Sequence, residues 1–375
     1  MKVLFLTNVP SPYRVDFFNE FGKYCDLTVV FERKSSSERD ESWKNFSFKT
    51  FKGCFLKGIP FGSSASISLG VIKFIKDKKF DLIICSNFST PTGLIAVSYM
   101  QRHKIAYYIE TDGGTPKSGK GFKESLKTKA IKNAEGYFST SDANDDYFLA
   151  YGAKKDKIYR YPFTSLFDAD IYRETAREEE KVSLREKLNI KEKIVVISVG
   201  RFSYLNGYGK GYDVLLKAAA DLSKEIGWYV IGGKPTEEFE RLLKNSGLSN
   251  FHFVDFKLKD QLKEYYRASD LFVLMTVGEA WGLVVNEAMA CGLPVITTDK
   301  CVAGVELIKE GKNGYVIPVG DHSALAKLIS ENVFDPVRLR EMGENAIKTI
   351  KDYSFENMAL AHDRIIKKIL SENAK

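Results

Sequence analysis

The chain has 375 residues, of which 44% are hydrophobic and 28% are charged, and its formal net charge is +7. This composition is typical of a globular protein, and the length is too great for one ordinary core, so we expect two domains. The sequence has no run of about 18 apolar residues, which argues against a membrane-spanning helix. Five cysteines without a C-x-x-C pair argue against a disulfide framework or a thiolate metal site and favour a reducing cytosol.

The positive charge is concentrated in the first half of the chain. Residues 1–170 contain 26 Lys and Arg against 19 Asp and Glu, whereas the remainder has 30 of each sign. A basic half is compatible with nucleic acid, an anionic membrane surface or an acidic substrate, and equally with a solvated lysine-rich surface. Because no recognition motif accompanies the charge, we predict no nucleic-acid partner.

Short apolar runs alternate with longer helical patterns, which is typical of β-α units and a parallel sheet. The predicted strands of the first half are Val3–Leu6, Leu27–Phe31, Leu82–Cys85, Ile105–Ile109 and Gly136–Thr140. Between Ile158 and about Leu188 the alternation is lost, which predicts a domain boundary. The predicted strands of the second half are Ile194–Val199, Trp228–Ile231, Phe251–Val254, Leu271–Met275, Pro294–Thr297 and Gly314–Ile317.

We therefore predict an α/β fold with two Rossmann-like domains that face each other across a cleft. The first domain spans residues 1–165 and the second spans residues 166–355. An apolar stripe at helical spacing predicts a final helix over residues 356–375, and this stripe must pack on another surface. The stripe consists of Met358, Ala361, Ile365 and Ile369, with Ile366 beside it.

A glycine-punctuated loop with two cations follows the strand Ile194–Val199. It runs from Gly200 and Arg201 to Lys210 and Gly211, and a helical pattern begins directly afterwards. Such a loop can offer backbone amides, a helix N-terminus and fixed positive charge to a diphosphate. Arg201 can bind phosphate oxygens as a planar fork and Lys210 as a point charge. Seen alone, the segment is better explained as a surface loop with solvated cations.

Two carboxylates follow the strand Leu271–Met275. Glu279 lies in the turn before a helix and Glu287 lies within that helix. Carboxylates accept hydrogen bonds from sugar and ribose hydroxyls, and the amides at a helix start can bind phosphate. One segment could thus contact sugar, phosphate and ribose together. The alternative is an acidic helix start at Glu279 and a solvated residue at Glu287.

The ordered motifs resemble glycosyltransferase family 4. The resemblance rests on the E-x7-E spacing from Glu279 to Glu287, the A-x-A-x-G-x-P-V of Ala288 to Val295, and the V-G-R…K-G of Val199 to Gly211. It continues through Cys301–Ile308 and Gly311–Pro318, so it covers residues 194–320. The family implies the GT-B fold, with an N-terminal acceptor domain, a C-terminal donor domain and a final helix that crosses back to the first domain.

The resemblance also implies roles for individual residues. Arg201 and Lys210 would neutralise the donor diphosphate, Glu279 would bind hydroxyls of the donor sugar, and Glu287 would hold the ribose. The backbone around Trp281, Gly282 and Leu283 would complete the nucleotide-sugar site. The family transfers sugar with retention of the anomeric configuration and needs no metal or other cofactor, so we expect a retaining, metal-independent hexosyltransferase that uses a nucleotide sugar as substrate. A nucleotide-sugar epimerase of similar fold is the alternative.

The sequence departs from the family pattern in several places. The usual Glu-Gly-Phe-Gly is Glu279-Ala-Trp281-Gly282, and the spacer Ser203–Gly209 is long. In the first half, many relatives have a histidine near the acceptor, whereas this chain has Glu110-Thr-Asp112-Gly-Gly. Asp112, or secondarily Glu110, is the predicted acceptor-side and catalytic group. With equal weight, Asp112 simply organises the glycine turn.

Two further motifs suggest other chemistry. Asp168-Ala-Asp170 has the D-x-D spacing of metal-dependent sugar transferases, but it lies in the predicted linker rather than after a strand, so we predict no metal site. Gly114 to Lys120 reads G-x-x-x-x-G-K, nearly a P-loop, yet Gly121 stands where Ser or Thr should bind magnesium. A nucleotide hydrolase is the alternative that this motif keeps open.

A basic stretch extends from Lys117 to Lys132, with six lysines and one acid, Glu124. Apolar residues are interspersed, so the stretch could dock on anionic lipid as well as form a solvated helix face. The expected partners are therefore a nucleotide-sugar donor, a glycan or lipid-linked acceptor and an anionic membrane surface. The expected location is the cytoplasm, peripheral to the inner face of the membrane, with a task in cell-surface polysaccharide or glycolipid synthesis that rests on the family resemblance alone.

Overall fold

The computed structural model describes residues 1–35, 46–76, 79–114, 116 and 121–373. The chain divides into two compact units, one of Met1–Thr164 with Tyr353–Lys375 and one of Ser165–Asp352. The first unit is thus built from two separate stretches of sequence. The roles predicted for the two domains, acceptor binding and donor binding, stay predictions.

The first unit contains a parallel sheet and a small antiparallel hairpin. Its strands are β1 (Lys2–Thr7), β2 (Asp26–Phe31), β3 (Lys52–Phe55), β4 (Ile59–Phe61), β5 (Ala65–Ile67), β6 (Leu82–Cys85), β7 (Tyr108–Glu110), β8 (Gly136–Ser139) and β9 (Ile158–Arg160). The parallel order is β3-β2-β1-β6-β7-β8-β9, whereas β4 and β5 pair only with each other. The helices in this part of the chain are α1 (Pro12–Phe21), α2 (Val71–Lys76), α3 (Pro91–Arg102), α4 (Phe122–Lys132) and α5 (Asp142–Ala150).

The second unit has its own parallel sheet, with helices connecting its strands. The strands are β10 (Ile194–Val199), β11 (Ile226–Ile231), β12 (Phe251–Val254), β13 (Leu271–Leu274), β14 (Val295–Thr298) and β15 (Gly314–Ile317), in the order β12-β11-β10-β13-β14-β15. The helices are α6 (Glu178–Leu188), α7 (Tyr212–Ala220), α8 (Glu237–Ser246), α9 (Lys259–Ala268), α10 (Leu283–Ala290), α11 (Val302–Leu307), α12 (His322–Asn332) and α13 (Pro336–Ile350).

Most predicted strands are confirmed, with small shifts at their ends. The prediction Ile105–Ile109 is wrong at its start, because β7 spans only Tyr108–Glu110. The strands β3, β4, β5 and β9 were not predicted. They are short, and the Lys52–Phe55 segment carries a lysine and a glycine among its four residues, so an apolar run does not mark it.

The last helix, α14 (Phe355–Asn373), packs on α1 within the first unit. Its buried face differs from the predicted stripe. Met358, Ile366 and Ile369 are buried as expected, but Ala361 and Ile365 are only partly buried. Two polar side chains, His362 and Asp363, occupy the buried face as well.

Each sheet has a point where the strand order reverses, between β1 and β6 in the first unit and between β10 and β13 in the second. Ligands of open α/β sheets bind outside the carboxyl ends of the strands at this point. In the second unit, β10 leads into Gly200 and Arg201, and β13 leads into the turn that holds Glu279. The two motifs singled out in the sequence therefore begin at the same place.

Candidate functional site

The glycine-rich loop after β10 is fixed to the segment after β13. The carbonyl of Gly209 accepts hydrogen bonds from the Thr276 hydroxyl at 2.9 Å and from the Val277 amide at 3.1 Å. Gly211 has φ +70°, and a Cβ there would lie 2.0 Å from the carbonyl oxygen of Met275. Only glycine permits both this backbone conformation and this close approach, so Gly211 lets the loop lie against β13.

The loop brings Lys210 to Glu279, and the two side chains form an ion pair. Both are largely buried, and the Lys210 stem passes over Gly200, where a Cβ would lie 3.0 Å from Lys210 Cδ and Cε. The ammonium group also lies 5.8 Å from the ring centroid of Tyr204. A cation and a carboxylate that are 69 residues apart in the sequence thus meet at the switch point, which is the place between β10 and β13 where the strand order reverses.

The turn from Glu279 to Leu283 is held by backbone hydrogen bonds. The Glu279 amide donates to the Lys300 carbonyl at 2.9 Å, and the Trp281 carbonyl accepts from the Ala303 amide at 2.8 Å. Gly282 has φ +107° and caps α10, and a Cβ at this position would lie 2.8 Å from Cys301 Sγ. The amide of Leu283 opens the first turn of α10, where helical amides have no carbonyl partner within the helix.

The Trp281 side chain points into the protein. Its ring is buried, and its indole N–H donates to Asn286 Oδ1 at 2.8 Å. The indole ring of Trp281, which stands where the resembled family pattern has phenylalanine, is therefore packed inside the unit. What this residue offers to the turn is its backbone.

Glu287 lies one turn further along α10, and two hydroxyls hold its carboxylate. Ser165 donates to Oε1 at 3.0 Å, and Tyr266 donates to Oε2 at 3.3 Å. Burial raises the pKa of Glu287, while Ser165 and the nearby Lys259 oppose that shift. A carboxylate oxygen accepts more than one hydrogen bond, so Glu287 keeps acceptor capacity for ligand hydroxyls.

Arg201 lies two residues after the end of β10 and is exposed at the carboxyl edge of the sheet. Of the residues predicted to hold a nucleotide sugar, the structure joins Lys210 to Glu279 and places Glu287 on the helix that starts at Leu283. The sequence did not reveal Ser165 and Tyr266 as partners of Glu287, since single hydroxyl residues carry no spacing signal.

The D-x-D motif forms an internal ion-pair network. The Asp170 carboxylate accepts from Lys259, from Lys263 at 2.6 Å and from the Phe167 amide at 2.8 Å. Burial opposes ionisation of Asp170, but the two lysines and the amide outweigh it and lower the pKa. Three donors thus already occupy these oxygens, and the motif ties the start of the second unit to α9.

In the first unit, Asp112 contacts a buried ion-pair network. Arg14 Nη2 lies 3.4 Å from Asp112 Oδ1, and Arg14 Nη1 donates to Glu110. The second Glu110 oxygen lies 3.0 Å from Nε2 of His362, which comes from α14. Glu110 is completely buried, whereas Asp112 is partly exposed at the carboxyl edge of β7. Of these two acids, only Asp112 is accessible to a ligand.

The P-loop-like motif lies largely outside the described residues, because Thr115 and residues 117–120 are not among them. Lys117 and Lys120 of the basic stretch fall in the same gap. In the described part of the stretch, α4 exposes Phe122, Lys123, Lys129 and Lys132. Among the residues that the structure describes, no helix is both long and apolar enough to cross a bilayer.

The fold is shared with solved GT-B glycosyltransferase structures. Sucrose-phosphate synthase from Thermosynechococcus elongatus matches with a TM-score of 0.77 at 19% identity, over 99% of this chain and 100% of that one. Alr3699/HepE from Anabaena, solved in complex with UDP, matches with a TM-score of 0.76 at 19% identity over the same shares. These likenesses establish the GT-B fold.

Residues 180–349 match the family described as Glycosyl transferases group 1. The matched segment lies within the second unit and includes Arg201, Lys210, Glu279 and Glu287. The GtfA subunit of a UDP-N-acetylglucosamine–peptide N-acetylglucosaminyltransferase from Streptococcus gordonii is 24% identical over 68% of this chain and 55% of its own length. A D-inositol 3-phosphate glycosyltransferase from Rhodococcus erythropolis is 33% identical over 44% of this chain and 39% of its own length. The chain spans about half the length, or less, of these relatives.

Proposed function

We propose that this protein is a retaining glycosyltransferase that moves a sugar from a nucleotide-sugar donor to a glycan or lipid-linked acceptor. The observation that carries the proposal is the meeting of Lys210 and Glu279 at the switch point of the second sheet, beside the start of α10. A phosphate-binding cation, a hydroxyl-binding carboxylate and a helix N-terminus are the groups that a sugar diphosphate needs. The Glycosyl transferases group 1 domain over residues 180–349 supports the same proposal.

In the proposed reaction, the acceptor hydroxyl attacks the anomeric carbon on the face from which the nucleoside diphosphate leaves. The bond between that carbon and the phosphate oxygen breaks, and the departing diphosphate takes the acceptor proton. Arg201 and Lys210 offset the negative charge that develops on the diphosphate, and Glu279 and Glu287 position the sugar and ribose. The protein contributes orientation and charge stabilisation, so the proposed mechanism needs no metal.

On the acceptor side, we propose Asp112 as the group that contacts the incoming hydroxyl. Its carboxylate is partly exposed, and Arg14 lies 3.4 Å away. Glu110 supports it indirectly, because its buried carboxylate contacts the same Arg14 side chain.

The proposed location is the cytoplasm, at the inner face of a membrane, with a role in polysaccharide or glycolipid synthesis. The basic stretch Lys117–Lys132 would supply attraction to anionic lipid, at about 1 kcal/mol for each cation near the surface. In its described part, Lys127 lies 3.2 Å from Glu124, which offsets part of that charge. Neutralising Lys123 and Lys129 should therefore weaken binding to anionic vesicles.

The first test is a panel of nucleotide sugars, with binding and slow donor hydrolysis as readouts. Uridine diphosphate sugars come first, because the Anabaena neighbour was solved with UDP and with UDP-glucose. Glu279→Ala should abolish most transfer without unfolding the protein, and Arg201→Ala should weaken donor binding. Wild-type turnover in both variants would refute the site.

Further measurements separate the alternatives. An epimerase would convert the donor without passing sugar to an added acceptor, and a P-loop hydrolase would release phosphate from ATP or GTP in a magnesium-dependent reaction. Retention is read from the anomeric configuration of the product by NMR. Activity that persists in EDTA would support the metal-independent mechanism, and its loss would contradict it.

A further inference from the structure

The β4–β5 hairpin of the first unit has an apolar outer face. Ile59 pairs with Ile67 and Phe61 with Ala65, so these four side chains share one face of the two-stranded ribbon. Ile59 is 70% exposed, Phe61 49% and Ile67 41%, and Leu69, two residues further on, is 71% exposed. Four large apolar side chains are thus presented to solvent in one short segment, whereas surface apolar residues are normally scattered singly.

On the opposite face, the serines of the second strand and its continuation are buried, whereas Pro60 of β4, which pairs with Ser66, is exposed. Ser66 and Ser68 are almost fully buried, the Ser66 amide donates to Glu32 Oε2 at 2.7 Å, and the Ser68 amide donates to the Thr92 hydroxyl oxygen at 3.1 Å. From Ala65 to Leu69 the usual arrangement, with apolar residues inside and polar residues outside, is therefore reversed.

The hairpin is firmly held in this orientation. Arg33 Nη1 donates to the carbonyl oxygens of Gly62 and Ser63 in the turn, each at 3.0 Å. Glu32 also accepts from Asn87 at 2.6 Å and from Thr90 at the start of α3. The apolar face cannot turn inward without breaking these buried hydrogen bonds, so its exposure is built into the fold.

The sequence segment that contains the hairpin carries positive charge only. From Phe46 to Lys76 it has five lysines and no acidic residue, and all five lysines are exposed. They are Lys49, Lys52, Lys57, Lys73 and Lys76. Of these, Lys57 lies two residues before Ile59. Arg33 holds the hairpin turn, and the Lys34 ammonium lies 5.8 Å from the ring centroid of Phe55 at the carboxyl end of β3. An apolar patch with these cations beside it is complementary to a lipid surface that has anionic headgroups above an apolar interior.

A second copy of the chain fits this patch less well. In a two-fold symmetric dimer the same patch meets itself, so Lys34 and Lys57 of one copy would lie near the same two lysines of the other. A bilayer avoids this repulsion, because its phosphates pair with the lysines while its acyl chains receive the apolar residues.

The position of the hairpin agrees with such a docking mode. Glu32 directly follows β2, and Thr92 lies in the first turn of α3, so the hairpin stands at the carboxyl edge of the sheet. The exposed Phe122 opens α4, and the chain reaches α4 after leaving the carboxyl end of β7. Apolar side chains therefore collect at one edge of the first unit.

We propose that the outer face of the β4–β5 hairpin inserts into the surface of an anionic lipid bilayer. Ile59, Phe61, Ile67 and Leu69 would enter the headgroup and upper acyl region, and Lys34 and Lys57 would contact lipid phosphates. This surface is separate from the basic stretch at α4, and the inference does not depend on the enzymatic proposal.

The test measures binding of the full chain to sedimented vesicles of phosphatidylcholine, with and without phosphatidylglycerol. We expect binding only with the anionic lipid, and a loss of about tenfold or more in the partition constant of an Ile59→Ser/Leu69→Ser variant. The matched control is Phe334→Ser/Val337→Ser, because these side chains are 52% and 56% exposed but lie in the second unit. The control should bind as the wild type does. Equal circular dichroism and melting temperature establish that all three proteins are folded.

A second measurement reports insertion directly. Phe61→Trp places a fluorophore on the apolar face, and brominated acyl chains in anionic vesicles should quench it, whereas they should leave the wild-type emission unchanged. Unquenched fluorescence of the Phe61→Trp variant with intact vesicle binding would assign binding to α4 and overturn the proposal. So would equal binding by the Ile59→Ser/Leu69→Ser variant, absence of wild-type binding, or a dimer in light scattering that the same two substitutions dissociate.

Discussion

Nε2 of His362 lies 3.0 Å from Oε2 of Glu110, and both side chains are completely buried. The contact joins the last helix to the end of β7 across 252 residues of sequence. The histidine ring is surrounded by aromatic side chains. Its centroid lies 4.4 Å from the ring centroid of Tyr161 and 4.7 Å from that of Phe17. The last helix is therefore fixed by a specific polar contact inside an apolar shell, and the same carboxylate positions Arg14 beside Asp112.

We expect His362→Phe to destabilise the first unit. The substitution keeps an aromatic ring but removes the polar partner of Glu110, and a hydrogen bond to a charged group typically contributes about 1.5 to 3 kcal/mol. Urea unfolding followed by circular dichroism measures the loss. Arg364→Ala is the control, because its side chain is exposed on the same helix and its loss should change stability little. Equal midpoints for the two variants would contradict the role of the contact.

Glu110 should make stability depend on acid pH. Burial opposes its ionisation, but Arg14 and His362 outweigh this and lower its pKa to about 2. A carboxyl group with a folded-state pKa below its unfolded value contributes stability above the unfolded value of about 4.3, and this contribution disappears as pH falls toward 2. The free energy of unfolding of the wild type should therefore fall over this range. Glu110→Gln should be less stable at neutral pH and should show a flatter pH profile, as measured by urea titration at a series of pH values.

The ion pair of Lys210 with Glu279 predicts coupled effects on donor binding. Lys210→Met should weaken binding of a nucleoside diphosphate by about tenfold to a hundredfold, since a charge-assisted hydrogen bond contributes about 1.5 to 3 kcal/mol. Lys217→Gln is the matched control, because this exposed lysine lies in the following helix. Calorimetry on Lys210→Met, Glu279→Gln and the double variant gives the coupling. Additive effects would show that the pair does not act as a unit.

Alanine substitutions at Gly211 and Gly247 distinguish the free-energy cost of backbone strain from that of a steric clash. Both have positive φ, +70° and +67°, but a Cβ at Gly211 would meet the Met275 carbonyl at 2.0 Å, whereas a Cβ at Gly247 would meet nothing within 4 Å. Gly247→Ala should cost only the conformational strain, about 1 to 2 kcal/mol. Gly211→Ala should cost more and should also weaken donor binding, because the loop cannot keep its place on β13. Thermal unfolding and calorimetry distinguish these outcomes.

Asp170→Asn should lower stability through the loss of charge opposite Lys259 and Lys263. The two lysines and the Phe167 amide hold the pKa of Asp170 below its usual value against the effect of burial, so the carboxylate stabilises the fold above that usual value and loses this effect as pH falls. Urea unfolding of the variant at neutral pH measures the change. A variant with wild-type stability but altered dependence on divalent cations would instead assign a metal role to the D-x-D motif.

The sequence predicted the parallel sheets well, because buried parallel strands appear as continuous apolar runs. It also located the cation loop and the two carboxylates at strand ends. It could not predict the partners of these groups. Ser165 lies 122 residues from Glu287, and His362 lies within a helical pattern where its ring was indistinguishable from the apolar stripe. The D-x-D was predicted to lie in the linker rather than after a strand, but only the fold reveals that two lysines of α9 bind Asp170.

The hairpin was missed for a different reason. Its strands have three residues each. From Ala65 to Leu69 the apolar side chains alternate with the buried Ser66 and Ser68, whereas the middle residue of β4 is the exposed Pro60. Pattern analysis assigns the apolar face to the interior, so it gives the wrong side for a segment with reversed polarity. Only the hydrogen bonds of Ser66 and Glu32 reveal which face is outside.

Since the first unit needs Tyr353–Lys375 as well as Met1–Thr164, whereas the second unit is continuous, the two differ in when they can form on the ribosome. Residues 165–352 emerge as a complete set before the last helix is synthesised. The first unit must wait for α14, so its aromatic pocket around Tyr161 and Phe17 stays unfilled while the second unit is already able to fold. A nascent chain stalled after residue 352 has emerged should therefore protect the second unit from protease and leave the first unit sensitive.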